Sequence, residues 1–463
     1  MARDNEALEL DADQPGKLTQ DQNRLQWFIN ARFGLFIHWG IYAMGARHEQ
    51  LQRREAMPFD QYKRYFEHFD PDLYDPEKWA DLAAAAGMKY FVITTKHHDG
   101  FCLWDTDLTD FKVTNTPYGK DLIGPMVDAF RSRGIRVGFY YSQIDWHHPH
   151  FTVDDLHYLK DEPNRDELNK GRDMDKYRQF MHGQLRELLT RYGDIDVLWF
   201  DGGDYRRSRK LPGEPWDGKG PDDWDVPKMQ SIIRECQPNI LINDRLGTDW
   251  EAGSTADFIC YEQALPSGQM TSDGQAVAWE SPQTFSGSWG YHRDETTWKT
   301  AEQLLEMLLY TTSRGGNMLL NVGPTGRGEI DSRATSRLET MGKWMKYHRK
   351  SVHGCTAPPA DITPPDKCVL TYNEKTNRLY MHILSWPATP GVRGLSTHLY
   401  WKNMNADRIA YAQLLNDASE VMFRSGGKNH KELAGGWDES TTLLQLPVHQ
   451  PDTPIAVVEL QLK

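Results

Sequence analysis

The sequence is poor in several things at once. Cysteine is scarce: five in 463 residues (Cys102, Cys236, Cys260, Cys355 and Cys368), odd in number, widely spaced and without a CxxC. This speaks against a disulfide framework and a zinc ribbon and points to free, buried thiols. No apolar run approaches the roughly 18 residues of a membrane-crossing helix, so no membrane partner is expected. Positive charge is in deficit, 53 basic residues against 66 acidic for a net charge of −13. That argues against nucleic acid, whose partners present a basic face. The N-terminal MARDNEALELDADQPGK has neither a basic n-region nor an apolar h-region, so no signal peptide is read. The expected compartment is the cytoplasm, or outside it with a leader already removed.

What is present is ordinary apolar content (39%), dense charge (26%) and many large rings, 16 Trp and 20 Tyr. A chain of this composition folds. Rings with polar handles belong either to a core or to a pocket.

From Phe33 a pattern repeats. Short apolar β-rich runs end in polar residues, and helical stretches follow. The runs are FGLFIHWG (33–40), YFVITTKHHDG (90–100), RVGFYYSQIDW (136–146), DVLWFDGG (196–203), NILINDR (239–245), DFICYE (257–262), AVAWESP (276–282) and NMLLNVGP (317–324). Near-continuous apolar strands belong to a parallel sheet covered on both faces. Helices are read over 76–87, 121–134, 173–192, 329–352 and after Thr300, where Thr300 and Gln303 fit a capping box. Links between the fifth, sixth and seventh runs are loopier. Alternating strand and helix with eight strands predicts a (β/α)8 TIM-like barrel. A doubly wound open sheet is the alternative, but FGLFIHWG carries no GxGxxG phosphate turn.

The Pro-rich TAPPADITPP (356–365) marks a boundary. Beyond it, CVLTYNE, RLYMHILSW, LSTHLYW, EVMFRS, TTLLQLP and IAVVELQL read as short alternating strands of an antiparallel β-sandwich. The expected organisation is an N-terminal arm (1–24), a catalytic barrel (25–355) and a C-terminal β-sandwich domain (356–463). The highly charged 154–175 reads as a solvated loop and a helix start.

Active sites of such barrels form at the C-terminal ends of the strands. Here those ends carry His38-Trp39, His97-His98-Asp99, Tyr140, Tyr141 and Asp145-Trp146, Trp199-Phe200-Asp201-Gly202-Gly203, Asn243-Asp244-Arg245, Glu262, and Trp279-Glu280. One such residue is unremarkable in a packed fold; seven ends of this kind are not, because charged groups are seldom buried without purpose. Acids on different strands supply a proton donor and a nucleophile, aromatic rings stack on sugar faces, and His and Arg bond hydroxyls. The combination reads as glycoside hydrolysis by two carboxylates. A metal-dependent barrel hydrolase is the competing reading, from His97-His98-Asp99, His38 and His147-His148-Pro149-His150. HExxH is absent, and adjacent strand residues face opposite ways, so His97 and His98 share a site only where the chain leaves the strand. No metal and no cofactor are therefore expected.

Taken together, FGLFIHWG, KHHDGFCLWDT, YYSQIDWHHP, VLWFDGG, INDR, SWGY (288–291) and LLNVGPTGRGEI resemble the glycoside hydrolase family 29 α-L-fucosidases over residues 25–350. The resemblance implies a barrel followed by a β-sandwich, a retaining mechanism and a fucosylated oligosaccharide or glycan as substrate. It implies Asp201 as nucleophile, and His38, His97, His98, Tyr140, Trp199 and Arg245 at the sugar. The sugar-binding Glu after the first strand falls on Glu49, with Glu55 as the fallback, and Trp289 borders the pocket. Glu262 is preferred as general acid/base, with Glu280 second. Trp39, Trp289 and Phe200 are the candidates for an apolar wall against the C6 methyl of fucose. A non-catalytic fucose-binding homologue is the further alternative.

Overall fold

The computed structural model describes residues 22–203, 218–246, 256–272, 275–387, 397–426 and 440–463. The expected arm over 1–24 therefore lies almost wholly outside the described residues.

Eight parallel strands build the first sheet: β1 (Phe33–Ile37), β2 (Tyr90–Lys96), β3 (Arg136–Ser142), β4 (Val197–Asp201), β5 (Leu241–Ile242), β6 (Ile259–Cys260), β7 (Trp279–Thr284) and β8 (Asn317–Val322). Each falls within or across one of the expected apolar runs. Their order is β5-β4-β3-β2-β1-β8-β7-β6. The first and last strands pair along their length, Phe33 with Met318 through Ile37 with Val322. A parallel bridge from Asn243 to Phe258 joins the two remaining edges. That closure is what a barrel requires and an open sheet lacks.

Period-2 alternation divides the strand residues between two cores. Phe36, Tyr90, Val92, Tyr140, Val197, Trp199, Leu241 and Leu319 fill the lumen, plugged from below by Leu25, Phe28 and Ala31 of helix α1 (Gln22–Ala31). Leu35, Ile37, Phe91, Phe139, Tyr141 and Phe200 pack outward against the surrounding helices. Those are α2 (Pro76–Ala85), α3 (Ile123–Ser132), α4 (Met174–Arg191), α5 (Val226–Cys236), α6 (Ala301–Thr312) and α7 (Ser332–His348). Their starts follow sequence chemistry. Asp75 accepts from Lys78 N–H ahead of Pro76, and the Thr300–Gln303 capping box closes both ways at 2.8 and 3.2 Å.

Seven further strands follow: β9 (Cys368–Asn373), β10 (Arg378–Ile383), β11 (Thr397–Trp401), β12 (Ile409–Leu414), β13 (Met422–Ser425), β14 (Thr442–Leu446) and β15 (Ala456–Leu462). They form two antiparallel sheets, β9-β10-β15-β12 and β11-β14-β13, around a shared core that includes Leu370, Met381, Trp401, Leu444 and Val458. β12 is one strand more than the sequence pattern yields. Its IAYAQL is alanine-rich and poor in β-branched residues, and pairing with β15 decides its conformation. The charged 154–175 segment is also less solvated than its composition implies. Asp154 is buried and takes an ion pair from Lys219 at 2.6 Å.

Candidate active site

The C-terminal strand ends converge as a barrel predicts. Asp201 is the last residue of β4, and the two glycines after it are sterically required. Gly202 has φ of +90°, where a side chain is strained, and a Cβ there would lie 2.6 Å from Ile144. A Cβ on Gly203 would fall 2.1 Å from the Gln143 side chain.

Four neighbours hold the Asp201 carboxylate. The Tyr140 hydroxyl donates to Oδ2 at 2.8 Å, Arg245 donates from Nη1 to Oδ1 at 3.1 Å and the Gly202 N–H donates to Oδ1 at 3.0 Å, while Nε2 of His98 lies 3.6 Å from Oδ2. Burial pushes this carboxyl up, but the donors around it, Arg245 first and Tyr140 among them, outweigh it and leave it below the usual aspartate value. The group is thus ionised, as a nucleophile must be. The alternation settles the two adjacent tyrosines. Tyr140 faces inward to Asp201, while Tyr141 faces outward, bonds Gln184 and stacks under Lys96.

Arg245 also donates from Nη2 to Oε2 of Glu262 at 2.7 Å. One guanidinium therefore links the nucleophile candidate to a second carboxylate. The Glu262 side chain is 37% exposed, at the open mouth.

The histidines are held by defined partners. Asn321 donates to the Trp289 carbonyl, so its Oδ1 accepts from Nδ1–H of His38 at 2.6 Å. Ser142 donates to the Ile144 carbonyl, so its hydroxyl oxygen accepts from Nδ1–H of His98 at 2.7 Å. These networks fix both tautomers and leave each Nε2 as an acceptor. Burial holds His38 down to about 3 and His98 to about 4, so both are neutral. β2 ends at Lys96, and His97–Gly100 form a turn. That is how adjacent histidines share one site, their rings 4.2 Å apart and His97 stacked on Tyr140.

Glu49 is buried and accepts from Gly290 N–H at 3.0 Å, beside Trp289. Burial pushes it up to about 7. Glu55, by contrast, is exposed and paired with Arg47. The Trp289 ring packs on His38 and Phe36. Trp199 lies in the lumen floor, stacked on Tyr140 and under the Arg245 guanidinium.

Three expected residues stand elsewhere. Trp39 is 1% exposed and sits outside the barrel against Phe69, Tyr74 and Trp79, its indole N–H on the Thr325 carbonyl. It continues the outward positions 33, 35 and 37 of β1. Phe200 alternates with Trp199 and also points outward. Glu280 is enclosed inside the barrel. Its carboxylate takes the Trp199 indole N–H at 3.0 Å and the Tyr90 hydroxyl, so it does not reach the mouth. Asn321 and Tyr90 are site residues that the sequence pattern passed over. Both are polar groups at inward positions of apolar runs, which is the signal that marks them. No cluster of three metal-ligating side chains occurs among the described residues. His147 stacks on Phe111, and His148 packs tilted against Phe180.

The sequence model of the family described as alpha-L-fucosidase matches residues 6–350. The chain belongs to the α-L-fucosidase family. The fucosidase is similar to the mouse tissue α-L-fucosidase, 27% identical over 434 residues and covering 88% of each chain. Among solved structures it is similar to α-L-fucosidase isoenzyme 1 from Paenibacillus thiaminolyticus, with 40% identity, a TM-score of 0.83 and coverage of 96% of this chain and 99% of that one. It is also similar to a family 29 α-L-fucosidase from Bacteroides thetaiotaomicron, with 26% identity, a TM-score of 0.78 and coverage of 98% and 99%. That structure is a trapped covalent intermediate with 2-fluoro-fucosyl fluoride, in a Glu→Gln variant. The fucosidase is accordingly a glycoside hydrolase of family 29. The metal-dependent and non-catalytic alternatives are not favoured.

Proposed function

We propose that this fucosidase releases terminal α-L-fucose from fucosylated oligosaccharides or glycoconjugates with retention, using Asp201 as nucleophile and Glu262 as acid/base. The observation that carries this reading is the single Arg245 guanidinium bonded to both carboxylates. Retaining glycosidases hold their pair only about 5–5.5 Å apart, and groups sharing one guanidinium are close.

In the first half-reaction an Asp201 oxygen attacks the anomeric carbon while the glycosidic C–O bond breaks. The leaving oxygen takes its proton from Glu262, and a fucosyl-enzyme ester forms. In the second, Glu262 takes a proton from water, whose oxygen attacks the same carbon and returns Asp201 to its ionised form. The Nε2 atoms of His38 and His98 accept hydroxyl hydrogens of the sugar, and Glu49 and His97 bind others. Trp289 is the candidate wall for the C6 methyl. Such bonds assist catalysis where they strengthen in the transition state.

The test is stereochemical. Proton NMR of an aryl α-L-fucoside during hydrolysis should show α-L-fucose first, with the β anomer appearing later by mutarotation. Initial β-L-fucose contradicts the mechanism.

A further inference from the structure

The barrel lumen holds a carboxylate that the reaction above does not use. Glu280 is 0% exposed, and its two oxygens have separate donors, the Trp199 indole N–H on β4 and the Tyr90 hydroxyl on β2. Glu280 itself is on β7, so the three residues tie together strands that are not neighbours in the barrel. The arrangement is built for. Tyr90 lies across Gly34 of β1, where any Cβ would stand 2.5 Å from the tyrosine ring. A buried carboxylate is costly unless both oxygens are satisfied, and here they are.

The ring that Glu280 anchors is itself a support. Trp199 stacks on Tyr140 at 5.5 Å between centroids and 18° between planes, and the Arg245 guanidinium carbon stands 5.0 Å over its ring. Tyr140 and Arg245 both bond Asp201. The path from Glu280 to the nucleophile therefore runs through one indole to two of its hydrogen-bond donors.

We propose that Glu280 is a positioning residue: it fixes the Trp199 ring, and through that ring the two groups that hold Asp201 ionised and aimed. This rests on Asp201 being the nucleophile. It also separates Glu280 from proton donation, since neither of its oxygens is free to meet a glycosidic oxygen.

The experiment compares Glu280→Leu, Glu280→Gln and Trp199→Phe in the full chain. A dinitrophenyl fucoside and a fucosylated oligosaccharide are the two substrates, each with a full pH profile. Small misplacements in a site cost about 10- to 100-fold in rate. Glu280→Leu should lose that much kcat on both substrates alike, and the acid limb of kcat/KM should move to higher pH as Asp201 loses its support. Glu280→Gln keeps an acceptor for the indole N–H and should recover most of the loss and return the limb. Trp199→Phe keeps a ring but lacks the N–H. It should move the limb in the same direction and be non-additive with Glu280→Leu. It also keeps the test decisive if Glu280→Leu does not fold.

A loss confined to the oligosaccharide would make Glu280 the acid and overturn the proposal. So would an unmoved limb in Trp199→Phe, or no recovery in Glu280→Gln. Azide rescue of Asp201→Gly is measured in parallel. If rescue succeeds while the limb stays put, only the positioning role fails; if rescue fails, the nucleophile assignment itself is at fault.

Discussion

Asp201 and Glu262 share one guanidinium: Arg245 donates from Nη1 to the first at 3.1 Å and from Nη2 to the second at 2.7 Å. The first is half-buried at a strand end and the second is exposed at the mouth. The inner group is suited to attack and the outer one to exchange protons with a leaving group and then with water.

Glu262→Ala should therefore act selectively. For a dinitrophenyl fucoside, whose leaving group needs no proton, fucosylation should be nearly unaffected. For an oligosaccharide the rate should fall by about 10²–10⁴-fold, the usual worth of a general acid. Steady-state kinetics on the two substrates checks this. Equal losses on both would move the acid role elsewhere.

The acid limb of the pH profile should report Asp201. Its carboxyl is pushed up by burial and pulled down further by the donors around it, Arg245 first and Tyr140 among them. Attack requires the ionised form, so activity falls as pH drops through this lowered pKa. Tyr140→Phe and Arg245→Met each remove a stabiliser of the charge and should shift the limb to higher pH.

Trp39→Phe tests the relocation of that residue out of the sugar site. Loss of the indole bond to Thr325 and of packing against Trp79 should cost about 1–2 kcal/mol of stability, seen in thermal melting. KM for an aryl fucoside should not change. A raised KM would return Trp39 to the pocket.

Stability should fall in acid. Burial holds His38, His48, His157 and His382 down to about 3 in the folded chain, against about 6.5 when unfolded. Below pH 6.5 the unfolded chain binds protons that the native state refuses. Their contribution is thus complete above about 6.5 and is lost as pH falls toward 3. Glu49 and Glu280, pushed up to about 7 by burial, act oppositely: their contribution is present at low pH and is lost as pH rises through 7. Four histidines outweigh two carboxyls, so Tm should drop between pH 6.5 and 4. His382→Gln, in the C-terminal sheet, should flatten that slope.

Most of the barrel was legible because its strands are apolar throughout, which two covered faces demand. β5 and β6 are only two residues each, and their flanking polar residues resembled strand ends of ordinary length. The site was legible in residue type and less so in direction. His97 and His98 meet because the chain turns after Lys96, whereas Trp39 keeps the strand alternation one residue longer and points out. Nothing local distinguishes the two cases; the turn depends on contacts such as the antiparallel bridge from Lys96 to Cys102. The pairing of Glu280 with Tyr90 and Trp199 was beyond reach for the same reason, since it joins positions 190 and 81 residues apart.

The most direct measurement of the central claim is turnover of Asp201→Gly with and without azide. Without azide, hydrolysis should fall by roughly 10⁴–10⁶-fold, as when the nucleophile of a covalent mechanism is removed. With azide, the small anion occupies the vacated space and β-L-fucosyl azide should accumulate. Near wild-type hydrolysis by the variant, or an α-configured azide product, would contradict Asp201 as the nucleophile.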